Sequence, residues 1–180
     1  MKKALIVVDV QKDFIDGALA NPAAEAAMPT IHEVVDFAAK NNFDIFYTKD
    51  THYAEFYMDS QEGKNLPVPH CIFQTPGWAI DKRAWASNPM GSVQILIKST
   101  FGYEDWNWED LNLYNEIVVI GFCTDICVIT NALLIKTVVP ETPIVVIENA
   151  CAGVTPEKHA VALEVMRSCQ INTVKWEDYK

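Results

Sequence analysis

The stretch Ile-Gly-Phe-Cys-Thr-Asp-Ile-Cys, residues 120–127, decides the fold because it joins an apolar strand to a helix through a tight turn. The strand is expected to end at Gly121 and the helix to begin near Thr124. A strand that leads directly into a helix is typical of an alternating α/β chain. Cys127 would then lie in the first turn of the helix, where free backbone N–H groups and the helix dipole favour a thiolate.

Apolar, β-branched runs alternate with helical segments on both sides of this stretch. Most of these runs are continuously apolar, which is typical of strands buried on both faces of a parallel sheet. They lie at residues 4–8, 44–48, 93–97, 117–120, 144–147 and 171–174. A first helix is expected over about residues 23–40, and a second opens at Thr155-Pro156, a good cap followed by a good first helical residue. We predict a single domain, residues 1–180, with a Rossmann-like three-layer α/β/α fold around a six-stranded, mainly parallel sheet.

The composition excludes several classes of function. The formal net charge of -10 repels phosphate backbones, so no nucleic-acid partner is expected. No apolar stretch is long enough to span a bilayer, and Asp9 interrupts the apolar N-terminal run, which has no signal-peptide cleavage site after it. The chain has five cysteines, an odd number that is typical of a reducing compartment. We therefore expect a cytoplasmic protein without a membrane partner.

Chemically capable side chains follow the ends of the predicted strands. In a doubly wound sheet, ligands bind beyond the carboxyl ends of the strands. Asp9 follows the first strand and Lys98 the third, so both are expected near Cys127. The carboxylate can take the thiol proton, and the ammonium offsets the carboxylate charge. The alternatives are a buried core thiol, strand-end charges that reach solvent, and a redox pair of Cys123 with Cys127.

A long irregular segment, roughly residues 51–92, offers metal ligands. Asp50 and His52 are two residues apart on an extended segment and point the same way, and His70 follows a proline-rich approach. Carboxylate and imidazole ligands suit zinc, iron or manganese. The alternative is that these are ordinary polar residues of a surface loop.

These motifs together resemble the isochorismatase-like cysteine hydrolase superfamily over most of the chain. The matching elements follow the first, third, fourth and fifth strands, and they are Val8-Asp9-Val10-Gln11-Lys12-Asp13-Phe14, Lys98-Ser99, residues 121–127 and residues 150–155. The resemblance implies strand order 3-2-1-4-5-6 and an Asp9, Lys98 and Cys127 triad. It also implies a cis peptide between Phe122 and Cys123 and an oxyanion hole formed by the backbone N–H groups of Cys123 and Cys127. Members that hydrolyse isochorismate lack the nucleophile, so Cys127 indicates amide hydrolysis.

Within the superfamily, Asp-x-His followed by Pro-x-His is similar to the metal site of nicotinamidases. That resemblance implies a divalent ion, Zn²⁺ with Fe²⁺ and Mn²⁺ as alternatives, that holds the pyridine nitrogen of the substrate. Glu62 resembles the glutamate that completes the site in other nicotinamidases, while Glu55 and Asp59 stay open as alternatives. Pro67 departs from the pattern, because nicotinamidases usually have an aromatic residue there.

The resemblance extends to the substrate pocket and to assembly. Phe14 matches the aromatic residue that contacts the substrate ring, and Tyr103, in a shorter loop after Lys98 than nicotinamidases have, is a second pocket candidate. Family members are commonly dimers or tetramers, so a homo-oligomer is expected.

Three functions follow as hypotheses. The first is a metal-dependent nicotinamidase acting on a small-molecule amide, and the second is a metal-independent cysteine amidohydrolase of another small amide or carbamoyl compound. The third is a non-catalytic oligomeric binding protein that uses the acidic, tryptophan-containing loop 104–110. An intact Asp9, Lys98 and Cys127 set argues against the third.

Overall fold

A computed structural model describes all 180 residues, Met1–Lys180. Its sheet has six strands in the order β3-β2-β1-β4-β5-β6, and every neighbouring pair is parallel. The predicted α/β fold and strand order are confirmed. The strands are β1 (Lys3–Val8), β2 (Asp44–Asp50), β3 (Val93–Lys98), β4 (Glu116–Phe122), β5 (Ile144–Ala152) and β6 (Asn172–Val174).

Helices cover both faces of the sheet and complete three layers. They are α1 (Lys12–Ile15), α2 (Pro22–Lys40), α3 (Ala54–Tyr57), α4 (Gln61–Asn65), α5 (Trp108–Leu111), α6 (Ile129–Val138), α7 (Pro156–Ser168) and α8 (Trp176–Tyr179). One core lies under α1, α2 and α8, and the other lies under α5, α6 and α7. Alternate β1 residues divide between them, since Leu5 and Val7 face the first core while Ile6 and Val8 face the second. No helix has both the length and the apolar character that a membrane crossing requires.

Side-chain caps begin the two longest helices, and the cap at Thr155 was predicted from the sequence. The side chain of Asn21 accepts a hydrogen bond from the N–H of Ala23, and Thr155 accepts one from Lys158. Pro22 and Pro156 occupy the first helical positions. The helix predicted over residues 23–40 therefore starts one residue earlier, and the short α1 that precedes it was missed.

The structure differs from the sequence prediction at two strands. The edge strand β3 exposes one face, where Val93, Ile95 and Ile97 are 37%, 51% and 52% exposed, so burial on both faces is wrong there. The connection between β2 and β3 supplies only short helices, so no long helix covers that face. Strand β5 continues past the expected end at Ile147, because Cys151 and Ala152 still pair with β4.

Candidate active site

The carboxyl ends of β1, β2, β3 and β4 bring four of the predicted residues together. The Nζ atom of Lys98 lies 2.7 Å from Oδ2 of Asp9, 3.4 Å from Oδ1 of Asp50 and 3.7 Å from Sγ of Cys127. All four residues are buried. Because β1 is next to both β2 and β4, and β2 is next to β3, the residues that end these strands converge at one point.

Asp9 is held in place by Thr48, a residue that the sequence analysis missed. The Thr48 hydroxyl donates to Oδ1 of Asp9 at 2.7 Å, and its oxygen accepts the Asp9 N–H at 3.2 Å. Asp9 has a φ of 49°, in the left-handed region that aspartate enters more readily than most residues. Thr48 lies two residues before Asp50 on β2, so the period of the strand placed both on the same face.

The buried ion pair of Asp9 and Lys98 sets the charge of the site. Burial raises the pKa of Asp9 above its ordinary value, and the charge of Lys98 opposes that rise. Burial by itself would lower the pKa of Lys98, but the charges of Asp9 and Asp50 raise it. The ammonium therefore stays protonated, and the carboxylate has the increased proton affinity that suits a general base.

Cys127 is 6% exposed, so its thiol lies almost entirely out of contact with water. Burial, followed by the charge of Asp9, raises the pKa of this thiol well above its ordinary value, and Lys98 offsets the rise only in part. A hydrogen bond with Asp9 also favours the protonated thiol. The helix start was expected from the sequence to favour a thiolate, whereas burial and the charge of Asp9 favour the protonated thiol.

The turn from β4 into the helix leaves a backbone donor free beside the thiol. Residues Thr124–Val128 form a π-helical turn ahead of α6, and the peptide between Phe122 and Cys123 is cis, as the resemblance implied. Gly121 has a φ of +121°, and a Cβ there would collide with the Val8 carbonyl. The Cys123 N–H has no hydrogen-bond acceptor within the chain, so it is available to a developing oxyanion.

A second group of side chains adjoins the ion pair. The ligand atoms of Asp50, His52, Glu62 and His70 all lie within 4.8 Å of one another. Oδ2 of Asp50 is 3.0 Å from Nε2 of His52 and 3.4 Å from Nε2 of His70. The carboxylate oxygens of Glu62 are 3.8 Å and 3.5 Å from the same two nitrogens.

This donor set fits a divalent metal ion. Four ligands at about 2.0–2.1 Å from a tetrahedral zinc lie about 3.4 Å apart, close to the 3.0–3.8 Å between the carboxylate oxygens and imidazole nitrogens here. His70 turns Nε2 toward the cluster because its Nδ1 is hydrogen-bonded to the Val68 carbonyl at 2.9 Å and lies 3.2 Å from the Tyr57 hydroxyl. The other candidate carboxylates, Glu55 and Asp59, are exposed and outside the cluster.

Gln11 fixes the position of Asp50, which belongs to both groups. Its side-chain amide donates to the Asp50 carbonyl at 2.9 Å and accepts the Asp50 N–H at 2.8 Å. The same amide group donates to the Trp78 carbonyl at 3.0 Å. Gln11 is fully buried and was missed as a supporting residue, although it lies two residues after Asp9.

The two predicted pocket aromatics lie in different surroundings. Phe14 is buried and packs edge-on against His70, with 5.7 Å between ring centroids. Tyr103 packs edge-on against Trp106 at 5.1 Å, in the loop that follows Lys98. Phe14 therefore adjoins the candidate metal cluster, whereas Tyr103 is fixed to the loop beside the triad.

Comparisons with known proteins agree with this architecture. The chain matches the family model described as "Isochorismatase domain" over residues 3–178. It is 27% identical to a nicotinamidase/pyrazinamidase of Mycobacterium tuberculosis, over 96% of this chain and 98% of that protein. A crystal structure of nicotinamidase/pyrazinamidase from Bacillus subtilis has a TM-score of 0.80 at 27% identity, covering 97% of this chain and 100% of that one.

A third similar protein was solved with a metal ion. The pyrazinamidase of Pyrococcus horikoshii in complex with zinc has a TM-score of 0.81 at 27% identity, covering 97% of this chain and 99% of that one. The resemblance to the nicotinamidase branch is confirmed by these relatives. The chain belongs to the isochorismatase domain family.

Proposed function

We propose that this protein is a cysteine amidohydrolase that cleaves nicotinamide to nicotinate and ammonia, with Cys127 as nucleophile. One observation carries the proposal: Asp50 contacts both Lys98 and the two histidines of the cluster, so the candidate nucleophile and the candidate metal ligands belong to one group of buried side chains. The similarity to nicotinamidases supports this substrate.

The residues of the triad divide the work of amide cleavage. As the Cys127 sulfur forms a bond to the amide carbon, its proton passes to Asp9. The N–H groups of Cys123 and Cys127 stabilise the charge that develops on the carbonyl oxygen. Asp9 then gives the proton to the nitrogen, and the carbon–nitrogen bond breaks to release ammonia and leave a thioester. Asp9 next takes a proton from water as the water oxygen bonds to the thioester carbon; the carbon–sulfur bond then breaks, and Asp9 returns the proton to the sulfur, which restores the thiol and releases nicotinate.

Lys98 and the cluster have supporting parts in this scheme. Lys98 favours the ionised form of Asp9 and balances the negative charge of the transition state. Asp50, His52, Glu62 and His70 would hold the metal, which when bound supplies an electron-pair acceptor for the ring nitrogen of the substrate. Phe14, packed on His70, would then lie along one side of that ring.

The decisive assay is ammonia release from nicotinamide by zinc-loaded protein, by chelated protein, and by chelated protein to which zinc is restored. We expect release that is lost on chelation and regained with zinc. Benzamide, which keeps the amide but lacks the ring nitrogen, is the matched control and should be cleaved far more slowly. Absence of release from the zinc-loaded protein would exclude nicotinamide, and full activity after metal removal would exclude the role of the metal.

A second candidate is a metal-independent cysteine amidohydrolase of another small amide or carbamoyl compound. Pro67 favours it, since this proline replaces the aromatic residue usual in nicotinamidases. His52→Ala distinguishes the two, because it removes a cluster ligand and leaves the triad in place. Undiminished turnover of any amide by that variant would support the second candidate.

We also propose a homo-oligomer in the cytoplasm. The five cysteines are all free in the structure, as a reducing compartment would keep them. Sedimentation velocity tests the assembly, and a monomer at micromolar concentration would contradict it.

A further inference from the structure

Asn131 is a buried amide whose two polar atoms are fully used. Its Oδ1 accepts the N–H of Tyr103 at 2.9 Å and the indole N–H of Trp106 at 2.8 Å. Its Nδ2 donates to the carbonyls of Cys127 at 2.8 Å and Phe101 at 3.2 Å. The residue is 0% exposed, and its bonds to the Trp106 indole and the Cys127 carbonyl are buried. A buried amide with four partners rigidifies what it joins.

These bonds join the two elements that carry the thiol and the ammonium. Cys127 belongs to the π-helical turn that leads into α6, and Asn131 lies one helical turn later. Lys98 ends β3, and its Nζ donates to the Thr100 carbonyl at 2.9 Å, next to the Phe101 carbonyl that Asn131 binds. The chain of contacts closes where Nζ of Lys98 lies 3.7 Å from Sγ of Cys127.

We propose that Asn131 is a positioning residue that fixes the distance between the Lys98 ammonium and the Cys127 sulfur. It does so by tying the loop after Lys98 to the helix of the nucleophile. Measurements of kcat and KM with nicotinamide test this inference only if the proposed function holds. The alkylation rate of Cys127 tests it without that assumption.

The two ends of the amide have separable effects. The Nδ2 end binds the Cys127 and Phe101 carbonyls, so it governs the thiol and the ammonium. The Oδ1 end binds Tyr103 and Trp106, so it governs the part of the loop that carries the pocket candidate Tyr103. Asn131→Asp keeps an acceptor for both N–H groups but removes both donations. Trp106→Phe removes one N–H from Oδ1 and leaves both donations in place.

The experiment measures the alkylation rate of Cys127 by iodoacetamide at one pH, followed by peptide mass spectrometry, together with kcat and KM for nicotinamide. For Asn131→Asp we expect both the alkylation rate and kcat to fall about tenfold or more, since a misplacement of about 1 Å can cost up to about 100-fold. Trp106→Phe should raise KM, with the alkylation rate within about twofold of the wild-type value.

Asn41→Asp is the matched control. The Asn41 amide also donates to the carbonyl four residues earlier, that of Phe37 at 2.8 Å, but at the exposed end of α2, away from the site. This variant should leave the alkylation rate and kcat unchanged. All variants are compared at a temperature where thermal unfolding shows each to be folded. If Asn131→Asp does not fold, Asn131→Ser, which removes the amide without adding a charge, takes its place with the same expectation.

Two outcomes would overturn the inference. The first is that Asn131→Asp, which removes both Nδ2 donations, keeps an alkylation rate and a kcat within about twofold of the wild-type values. The other is an equal loss of alkylation rate in Trp106→Phe, since that variant keeps both donations. Failure of the proposed function gives a different result, because the wild-type protein would then release no ammonia while the alkylation rates would still rank the variants.

Discussion

Replacing Lys98 by methionine tests the buried charge arrangement on which the site depends. Methionine keeps most of the aliphatic length of the side chain and removes the charge. At an effective dielectric constant of about 20, the attraction of Lys98 is about 6 kcal/mol to Asp9 at 2.7 Å and about 5 kcal/mol to Asp50 at 3.4 Å. Most of this attraction offsets the desolvation of the three charges. Breaking such a buried pair by removing one partner typically costs about 3 to 5 kcal/mol, which is the loss we expect in the free energy of unfolding.

The pH dependence of this loss has a definite sign. Without the ammonium, burial raises the pKa of Asp9 further above its value in the unfolded chain, so the folded protein holds the proton more tightly. The destabilisation is therefore greatest above the folded-state pKa and shrinks as the pH falls through it. Urea unfolding of wild-type and Lys98→Met protein at pH 8 and pH 5 should show the larger difference at pH 8.

The double variant Asp9→Asn with Lys98→Met is the control, because it removes both members of the closest pair. It should be more stable than Lys98→Met alone, even though it carries one more substitution. A Lys98→Met protein as stable as the wild type at pH 8, or losses in the double variant that simply add, would refute the reasoning.

Two further predictions concern metal affinity and acid stability. Tyr57→Phe removes the hydroxyl that lies 3.2 Å from Nδ1 of His70. Zinc affinity should therefore fall about tenfold in a competition titration with a chromophoric chelator. An unchanged zinc affinity would exclude this supporting contact. Burial would raise the pKa of Asp44, but hydrogen bonds from Lys2, Ser92 and Tyr114 lower it to about 2. Because the pKa of Asp44 is lower in the folded than in the unfolded protein, its ionised form stabilises the fold above the unfolded pKa, and this stability is lost as the pH falls toward 2. Asp44→Asn should therefore lower the free energy of unfolding by up to about 2 kcal/mol at pH 7 and by almost nothing at pH 2, measured by urea unfolding. An equal cost at both pH values would contradict this explanation.

The sequence predicts the active-site edge of the sheet because Asp9, Lys98 and Cys127 each lie at, or a few residues beyond, the end of an apolar strand. Asp9 and Lys98 could be placed near Cys127 from strand ends and a parallel sheet alone. Residue type alone could not decide among Glu55, Asp59 and Glu62, because the choice depends on how α3 and α4 fold the loop back over β2. The resemblance favoured Glu62, which is the carboxylate that lies in the cluster. Composition also gave no sign that β3 would lie at an edge with one face uncovered.

The supporting residues were missed for a different reason. Thr48, Gln11 and Asn131 act through hydrogen bonds to distant parts of the chain, such as the bond from Asn131 to the Phe101 carbonyl. Residue type and periodicity contain no information about such long-range partners. The surroundings of the Cys127 thiol were incompletely predicted for a related reason, since its position at a helix start is local whereas the burial that raises its pKa depends on the whole fold.

The central claim is that Cys127 forms the covalent intermediate. The most direct test is to quench the zinc-loaded protein with acid during turnover of nicotinamide and to locate the acyl group by peptide mass spectrometry. We predict a nicotinoyl group on Cys127 in wild-type protein, and neither adduct nor turnover in Cys127→Ala. Cys123→Ala should keep both, because Cys123 is proposed to act through its backbone N–H. Turnover by Cys127→Ala, or an acyl group found on another residue, would contradict the account.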